Sequence, residues 1–442
     1  ASGLTNLPTD SLWRLTPTGL GVGDGVYPQQ DYVVGIGTFA ANASLEINGG
    51  RGAGTIIPKL LEHKYCNVIS VVNAYDDGKS TGEIRKFFGM LGPSDIRKVQ
   101  ELMLPRENKD YDEHISLFQY RYPEKIDYND ALNQINRFVT KENEVIAGTK
   151  ISNLKVRSAI KLFLNEFLNG INLIGRHNQE KFNFNDCSIM NCIYAGAYLY
   201  FNRNLETATE QIEKIFKLRG KVLPTSVENK TLVGLRENGE ILYCEADIVE
   251  LRSNVKIERV FLLDKSPNNQ VDSFSFEEKR GYLDLHNSYV EVSPQVKLAL
   301  QQANIIIYSA GTQHSSLYPT YLARGLAEQI ADNKNATKIF VTNIGADYET
   351  PTYDASDYIK GAFKYLNLSD NRNYSYKDLF DYNFLNNSND NSKSNYVDYD
   401  PKGFNDISTE LVLDKFESTN EKGKHDGDFL VNLAIKLYEE KI

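Results

Sequence analysis

Short runs of β-branched residues, each followed by a polar loop and a helical pattern, constrain the fold of this chain more than any other feature. Three such runs are "NVISVVNA" (67–74), "NIIIYSAG" (304–311) and "KIFVTNIG" (338–345). Such runs are typical of parallel strands buried on both faces, with helices as crossovers. The alternation predicts an α/β fold, a doubly wound, mostly parallel sheet that binds ligands at the carboxyl ends of its strands.

The remainder of the chain divides by composition and periodicity. Helical spacing of apolar residues, as in "VRSAIKLFLNEFLNGI", predicts a helical section inserted in the α/β core. The stretch "TLVGLRENGEILYCEADIVE" (231–250) predicts a small β-hairpin element that turns at Asn238-Gly239. The predicted organisation is an irregular N-terminal arm (1–30), the first βαβ part of a nucleotide-binding core (31–126), the helical section (127–220), the second part of the core (221–365), and an Asn/Ser-rich surface loop followed by a C-terminal docking helix (366–442).

Bulk composition narrows the partners and the location. The net charge of −10 argues against nucleic acid as a partner, because neutralising its phosphates requires clustered Lys and Arg. No apolar run reaches the roughly 18 residues of a membrane span. The four cysteines have no C-x-x-C spacing, so neither a zinc site nor a redox pair is indicated. Because the first residues also lack the pattern of a secretory signal, we expect a cytoplasmic protein.

The loop "NAYDDGKSTG" (73–82) ends like a phosphate-binding P-loop but does not begin like one. Lys79 and Ser80 match the motif, in which a lysine reaches phosphate and a hydroxyl holds magnesium. The first glycine of the motif is replaced by Asn73. The sequence therefore predicts a phosphate-binding loop of another kind.

Two adjacent carboxylates, Asp76 and Asp77, lie in the middle of this loop. They suit a Mg²⁺ ion that bridges to the phosphates of a ligand, since hard cations prefer carboxylate oxygen. Two other interpretations stay open. One carboxylate holds a ribose hydroxyl, as in Rossmann domains, or Ser80 or Thr81 caps a helix and the aspartates are merely solvated.

Three further loops supply candidate binding groups. "NGGRGAGT" (48–55) lies between a predicted strand and a helix, where glycines let the backbone approach a phosphate. "LGPSDIRKVQELM" (91–103) offers a helix cap at Ser94 or Asp95 together with cations, and "SAGTQHSSLYPTYL" (309–322) offers groups for an anion or a nucleobase edge. The candidates in these loops are Gly49, Gly50, Gly52, Gly54, Thr55, Asp95, Arg97, Gly311, Thr312, Gln313, His314 and Ser315.

Five stretches follow the order and spacing of one superfamily: "NGGRGAGT", "NAYDDGKSTGEIRKFFGMLGPSDIRKVQ", "SIMNCIYAGAYL", "KLRGKVLPTS" and "SAGTQHSSLYPTYLARGLAEQI". In these stretches the chain resembles the CofD/YvcK superfamily over roughly residues 45–365. The superfamily includes phospholactate transferases of deazaflavin coenzyme synthesis. It also includes YvcK-like proteins, called gluconeogenesis factors, which bind nucleotide sugars and regulate cell-wall precursor supply. The "DDGKSTG…GPSDIR" pair looks more like the YvcK side.

The resemblance implies a Rossmann-like core that holds a nucleotide diphosphate group. It implies that Asp76 and Asp77 lie near metal and phosphates, so both are candidate catalytic and Mg²⁺-binding residues. Ser188 and Asn191 stand for the superfamily's Ser-x-Gly-Asn helix start. The segment from Gly311 to Ser315 stands for a late phosphate or sugar loop. The remaining phosphate-binding candidates are Lys79, Ser80 and Thr81.

Two functional hypotheses follow. The leading one is a Mg²⁺-assisted nucleotide or nucleotide-sugar binding protein, acting as a transferase that forms a phosphodiester from an activated nucleotidyl donor. The alternative is a non-catalytic sensor of carbon and cell-wall precursor metabolism, whose ligand-bound form contacts a regulatory partner enzyme. For either we expect a homo-oligomer, a dimer. A dehydrogenase is disfavoured by the second aspartate and by the lack of a clear catalytic His–acid pair.

Overall fold

The computed structural model describes residues 14–16, 19–21, 44–48, 54–63, 66–370, 372–387 and 396–442. The chain divides into two compact units, residues 1–40 and 41–442. The first contains an antiparallel pair of short strands within the predicted irregular arm, β1 (Arg14–Thr16) and β2 (Gly19–Gly21). All further elements belong to the second unit.

The strands of the second unit form two sheets. They are β3 (Ser44–Asn48), β4 (Val68–Val72), β5 (Lys221–Pro224), β6 (Thr231–Arg236), β7 (Ile241–Leu242), β8 (Ile257–Leu263), β9 (Ile305–Tyr308), β10 (Thr337–Val341), β11 (Tyr382–Asn386) and β12 (Glu410–Asp414). Seven of them make one sheet in the order β12-β11-β10-β9-β3-β4-β5. Every neighbouring pair in that sheet is parallel, so the predicted parallel sheet is confirmed.

Most of the helices lie in the connections between the strands, and the last one follows the last strand. They are α1 (Ile57–Glu62), α2 (Lys79–Phe88), α3 (Ser94–Leu102), α4 (Tyr111–Gln119), α5 (Tyr128–Thr140), α6 (Leu154–Asn178), α7 (Ile189–Tyr200), α8 (Leu205–Phe216), α9 (Glu245–Glu250), α10 (Phe276–His286), α11 (Pro294–Gln302), α12 (Tyr318–Tyr321), α13 (Leu326–Asp332), α14 (Ala355–Ser369), α15 (Tyr376–Leu379) and α16 (Gly427–Lys441). Seven of them, α2 to α8, lie between β4 and β5. No helix in the described ranges is both long and apolar enough to cross a membrane.

The direction in which successive strands are added to the sheet reverses between β3 and β9. From β3 the chain builds outward through β4 to β5, and it later returns to add β9 on the other side of β3. This is the Rossmann arrangement, and in open α/β sheets ligands bind beyond the carboxyl ends of the strands at such a crossover. Since β3 and β4 are neighbours, the loops that follow them start at the same edge of the sheet.

A second, antiparallel sheet has the order β7-β6-β8. The hairpin predicted at Asn238-Gly239 is confirmed by the pairing of β6 with β7, after which the chain turns into α9. Val233, Phe261 and Leu283 are buried in a small apolar cluster beneath this sheet. The second sheet thus has a small cluster of its own on one face, while Leu232, Val260 and Leu262 of the same strands belong to the main core.

The prediction of a surface loop at residues 366–400 is wrong in part. Residues 382–386 form β11, which pairs with β10 on one side and β12 on the other. The side chain of Asn383 is buried, and its Oδ1 accepts a hydrogen bond from Thr342 Oγ1 at 2.8 Å. A polar residue that suggests a loop is therefore compatible with an interior strand, here with Thr342 bonded to Asn383 Oδ1 while Asn383 Nδ2 has no partner among the described residues.

Candidate functional site

Asn73 joins the loops that follow β4 and β9. It is buried and is the first residue after β4. Its side-chain amide donates to the carbonyl oxygen of Ser316 at 2.8 Å, and its Oδ1 accepts from the amide of Tyr75 at 2.9 Å. Two loops whose strands flank β3 are therefore held together at the carboxyl edge of the sheet.

Asp76 and Asp77 are neighbours in the chain but contact different groups. Asp76 Oδ1 accepts from the amide of Gly78 at 3.0 Å, and its Oδ2 lies 3.9 Å from Lys98 Nζ in α3. Asp77 Oδ1 accepts from the amide of Ala246 at 2.9 Å, in the first turn of α9. The second carboxylate therefore fastens the loop to α9, while the first faces α3.

Carboxyl groups gather around this loop, and burial disfavours their charged forms. Burial raises the pKa of Asp76, and the nearby carboxylate of Asp95 raises it further. The pKa of Asp77 is raised by burial as well. Burial, together with Asp76 and Asp77, raises the pKa of Glu245 to about 9, and Glu245 Oε2 accepts from the amide of Asp77 at 3.3 Å. Such a cluster favours a cation, which would offset the mutual repulsion of the carboxylates.

Helices α2, α3 and α7 begin at one place beside Asp76. Thr81 in α2 hydrogen-bonds hydroxyl to hydroxyl with Ser94, the first residue of α3. Asn191 in α7 donates to Ser80 Oγ at 3.2 Å and to Ser94 Oγ at 3.4 Å. Thr81 Oγ1 also donates to Asp76 Oδ2 at 3.5 Å. Because the start of a helix presents free amides and a partial positive charge, three starts together suit an anion.

The capping interpretations of these helices are wrong. α2 begins at Lys79 after Gly78, so neither Ser80 nor Thr81 is its N-cap. Pro93 precedes α3, so neither of the two predicted caps holds that position. No side chain of the described residues caps α2, α3 or α7. The amides of Thr81 and Asn191 donate to the carbonyl oxygens of Gly78 and Ser188, and that of Ile189 donates to Tyr120, so only part of the first turns of α2 and α7 is left for another acceptor.

Two polar atoms are buried beside these helix starts without a hydrogen-bond partner in the described parts of the chain, Ser188 Oγ and Asn191 Oδ1. Both residues are fully buried, and Ser188 is the residue before α7. Buried polar atoms in folded proteins nearly always have a partner. Other buried atoms away from these loops, such as Tyr122 Oη, also have no partner among the described residues, so the pair fits a ligand contact without identifying one.

The two cations predicted near the phosphates lie apart. Lys79 Nζ is 3.0 Å from Asp186 Oδ2, and the lysine side chain is 63% exposed. Arg97 is buried and donates to the carbonyl oxygen of Phe118 at 2.7 Å, so it supports the helical section and does not face the loops. Lys79 borders a cleft of about 320 Å³, whose lining residues are Lys79, Ser80, Glu83, Glu124, Asn183, Asn185 and Asp186.

Amide and hydroxyl groups hold the loop after β9. Asn343, which follows β10, accepts from the amide of Gly311 at 3.0 Å and donates to its carbonyl oxygen at 3.0 Å. Gln313 Nε2 donates to the same carbonyl at 2.8 Å, while Gln313 Oε1 is buried with no partner among the residues described. Thr312 Oγ1 donates to Ser316 Oγ at 2.8 Å. Three of the predicted binding residues, Gly311, Thr312 and Gln313, are thus fixed by the chain itself.

Glu349 occupies the start of the helical turn that begins at Gln313. The amides of His314 and Ser315 each donate to Glu349 Oε2 at 3.0 Å, and Ser315 Oγ donates to Oε1 at 2.5 Å. Burial raises the pKa of Glu349 to about 7, and Asp347 adds to the shift. Burial also lowers the pKa of His314 to about 3, so its ring is neutral. The carboxylate therefore takes donors that the sequence analysis assigned to a ligand.

The glycine-rich loop lies mostly outside the described residues, which include Gly54 and Thr55 but not Gly49, Gly50 or Gly52. Gly54 is exposed, and a Cβ added there would meet no atom within 4 Å. A Cβ on Gly427 would lie 2.0 Å from the carbonyl oxygen of Thr55, so α16 starts against this segment.

The carboxylates near Asp76 are the side chains that could hold Mg²⁺ here. In the described residues no group of three His, Cys, Asp or Glu side chains is arranged to hold a metal ion. The carboxylate oxygens of Asp76 and its neighbour Asp95 nevertheless have the chemistry that Mg²⁺ prefers. Mg²⁺ commonly binds one or two carboxylates and completes its shell with water and ligand phosphates. Lys98 Nζ already lies 2.8 Å from Asp95 Oδ1 and 3.9 Å from Asp76 Oδ2, so a Mg²⁺ ion that arrives with a phosphorylated ligand would share these carboxylates with an ammonium group.

Four residues at this edge were missed by the sequence analysis: Asn73, Glu245, Asn343 and Glu349. Asn343 lies near the end of "KIFVTNIG" (338–345) and Glu349 follows it, so their position at the end of a predicted strand was the signal available for them. Glu245 lies in the second sheet's region, and no local pattern links it to Asp77. The contact of Asn73 with the loop after β9 is a product of the tertiary fold.

Fold and site together define a Rossmann-like α/β protein whose polar loops meet at the topological crossover of a parallel sheet. A family model described as 2-phospho-L-lactate transferase CofD matches residues 46–418, and the chain belongs to this family.

Similar proteins carry the name gluconeogenesis factor. The protein of that name from Listeria innocua is 25% identical over 324 residues, which are 73% of each chain. The one from Bacillus subtilis is 21% identical over 407 residues, 90% of this chain and 98% of the relative. A crystal structure of protein BH3568 from Bacillus halodurans, 19% identical, covers 90% of this chain and 100% of its own, with a TM-score of 0.62. That likeness supports the fold.

Proposed function

We propose that this chain binds a nucleotide or a nucleotide sugar at the carboxyl edge of the parallel sheet, at the crossover between β3 and β9. The observation that carries the proposal is the bond from Asn73 to the carbonyl of Ser316 at 2.8 Å. It draws the loops after β4 and β9 together at the position where open α/β sheets bind ligands. The polar groups of both loops then face one ligand.

Mg²⁺ accompanies this ligand in the proposal. Of the two candidate metal-binding residues from the sequence, Asp76 lies with Asp95 beside Lys98, whereas Asp77 is bonded to α9, so the proposal assigns the ion to Asp76 and Asp95. When bound, the ion would neutralise charge on the ligand's phosphates. The residues themselves orient the ligand: helix starts and hydroxyls from α2, α3 and α7 face its anionic part.

A thermal-shift panel tests the proposal. The panel consists of UDP, GDP, UDP-glucose, UDP-N-acetylglucosamine and pyrophosphate, each with Mg²⁺ and with EDTA. A ligand at about 100 times its dissociation constant stabilises the folded state by about 2.7 kcal/mol. We expect at least one nucleotide to shift the unfolding temperature, more strongly with Mg²⁺. If no compound shifts it at millimolar concentration, the proposal is wrong.

Group transfer is a second candidate function, favoured by the carboxylate cluster of Asp76, Asp95 and Glu245. In a transferase, an acceptor oxygen forms a new bond to the donor's phosphorus as the leaving group departs. The family description names a transferase, whereas the similar proteins are called factors, and a sensor would bind without turnover. Incubation with labelled GTP or UDP-sugars, with and without phosphoenolpyruvate as acceptor, separates them, because a new labelled product appears only with an enzyme.

A further inference from the structure

One arginine of α2 holds the backbone of the loop that contains Asp76. Arg85 lies in the second half of α2, and its guanidinium donates to four oxygen atoms. Nη1 donates to the carbonyl oxygens of Tyr75 at 2.6 Å and Asp76 at 3.4 Å. Nη2 donates to Asn229 Oδ1 at 3.0 Å and to the carbonyl oxygen of Lys230 at 2.6 Å. A single side chain therefore joins the loop after β4 to the residues that precede β6.

The first two of these oxygens flank the α-carbon of Asp76. The carbonyl of Tyr75 belongs to the peptide group before that carbon, and the carbonyl of Asp76 belongs to the peptide group after it. Because a peptide group is planar, holding both groups at one guanidinium leaves the backbone dihedral angles of Asp76 little freedom. The direction in which its side chain leaves the backbone is then fixed, and its Oδ1 accepts from the amide of Gly78 at 3.0 Å.

The charge of Arg85 also acts on the two aspartates. Burial raises the pKa of Asp77, and the hydrogen bond from Ala246 and the positive charge of Arg85 oppose that rise. Burial lowers the pKa of Arg85, and the carboxylates of Asp77 and Asp76 oppose that change. Since the four acceptors of the guanidinium are uncharged oxygens, its charge acts on these carboxylates through space.

The second sheet holds the same loop at another point. Asp77 Oδ1 accepts from the amide of Ala246, and Glu245 Oε2 accepts from the amide of Asp77, both at the start of α9. Arg85 adds a second link to this part of the chain, since its other two acceptors immediately precede β6. The loop after β4 is therefore fixed between α2 and the second sheet.

We propose that Arg85 is a positioning residue of the site: it holds the two peptide groups that flank Asp76, and so fixes the direction in which that carboxylate faces. The importance of this direction for a ligand rests on the proposed function. An arginine suits the task because its planar fork presents several N–H groups in a fixed geometry, whereas a lysine presents one compact ammonium group.

Hydrogen exchange in the ligand-free protein tests the proposal without any ligand. Arg85→Lys keeps the charge and removes the fork. It should raise the exchange rate of the amides of Asp77 and Gly78 by at least about tenfold, since the loss of two hydrogen bonds has about this effect on a local opening equilibrium. Mass spectrometry of peptides that span residues 75–78 measures the change.

Arg219→Lys is the matched control. Arg219 precedes β5 at the amino edge of the parallel sheet, and its guanidinium also donates to a backbone carbonyl, that of Leu61. This variant should leave the exchange of residues 75–78 as it is in the wild type.

A double-mutant cycle tests whether Arg85 acts through Asp76. Calorimetric titrations with UDP and GDP, with Mg²⁺ and with EDTA, compare the wild type, Arg85→Lys, Asp76→Asn and the double variant. With Mg²⁺, Arg85→Lys should weaken the diphosphates about tenfold in the wild-type background and less than about twofold in the Asp76→Asn background, because coupled residues are not additive. With EDTA, it should change the affinities by less than about twofold in either background.

Two results would overturn the role of Arg85. One is wild-type exchange at Asp77 and Gly78 in a folded Arg85→Lys protein, which would mean that the charge alone suffices. The other is equal weakening of the diphosphates in both backgrounds, which would mean that Arg85 does not act through Asp76. If the wild type binds neither UDP nor GDP, the proposed function is wrong, and the exchange experiment still decides whether Arg85 fixes the loop.

Discussion

The loops after β4 and β9 have a similar amino-acid composition, rich in Gly, Ser and Thr, yet they differ in how their backbone amides are bonded. After β9, Glu349 has taken the amides of His314 and Ser315. After β4, Glu245 and Asp76 accept from the amides of Asp77 and Gly78, but no side chain of the described residues caps α2, α3 or α7. Loop composition alone therefore does not identify an anion site, because a distant carboxylate decides whether the amides are available.

The largest effect on stability is expected from a substitution where the β4 loop packs on α2. A Cβ on Gly82 would lie 2.1 Å from the carbonyl oxygen of Asp77, so Gly82→Ala must displace backbone. We expect a loss of at least about 3 kcal/mol in the free energy of unfolding, measured by urea titration. Gly281→Ala is the control: its Cβ would meet nothing within 4 Å, and it should stabilise α10 by up to about 1 kcal/mol.

The counterpart on the β9 side is Gly361→Ala, whose Cβ would lie 1.9 Å from the hydroxyl of Tyr318. Because a side chain moves more easily than a backbone carbonyl, the loss should be smaller than for Gly82→Ala. Equal losses of stability would mean that the backbone of the β4 loop moves as readily as the side chain of Tyr318, contrary to this expectation.

The second effect is a pH dependence that comes from Glu349. Its pKa is raised by burial to about 7 from 4.5, so between these values the folded protein holds a proton that the unfolded chain releases. Stability should therefore fall as pH rises from about 4.5 to 7, by about 3 kcal/mol from this group. Asp347 and the neutral ring of His314 are the titratable neighbours of this carboxyl.

Glu349→Gln should remove that part of the pH dependence, as followed by urea unfolding across the range. The pKa of Glu213 is also raised to about 7 by burial, so Glu213→Gln should remove a similar part from a position away from the site. If Glu349→Gln leaves the pH profile unchanged while Glu213→Gln flattens it, the carboxyl of Glu349 is not the buried group inferred here.

The third effect concerns the difference between the two aspartates. Asp76 lies with Asp95 and Lys98, whereas Asp77 is bonded to α9. Asp76→Asn should therefore reduce the Mg²⁺ dependence of diphosphate binding by about tenfold, because Mg²⁺ prefers a carboxylate oxygen. Asp77→Asn should retain that dependence, since an amide oxygen still accepts from Ala246. Titrations with Mg²⁺ and with EDTA measure both, and the reverse result would assign the metal to Asp77.

The fold was accessible from the sequence to a large degree, and the reasons are local. The runs that became β4, β9 and β10 are apolar because both faces of the sheet are covered, and periodicity reports that directly. β11 was missed because its polar residues are typical of a loop, although Asn383 is buried in the sheet and accepts from Thr342. A single-sequence pattern contains no record of such a partner.

The candidate site was accessible only as a set of loops. Their position after strands placed Asp76, Ser80 and Gly311 at one edge of the sheet. Which groups remain available to a ligand depends on contacts between residues far apart in the chain, such as the 34 positions that separate Ser315 from Glu349. Arg97 shows the same limit, since its direction toward Phe118 follows from the packing of α3 on α4.

The smallest effect is expected at Lys79, where the β4 loop enters α2. The residue has a φ of +44°, a left-handed conformation that costs a residue with a side chain roughly 1 kcal/mol relative to glycine. Its ion pair with Asp186 is exposed, so the pair contributes at most about 1 kcal/mol. Lys79→Gly should therefore be near neutral in urea unfolding, because relief of strain offsets the lost pair, whereas Lys79→Ala should be slightly destabilised. If Lys79 also contacts the ligand's phosphates, both variants should weaken UDP or GDP more than the nucleosides. Equal weakening of nucleosides and diphosphates would show that Lys79 does not contact the phosphates. The helix starts of α2, α3 and α7 would then have to bind the anion without it.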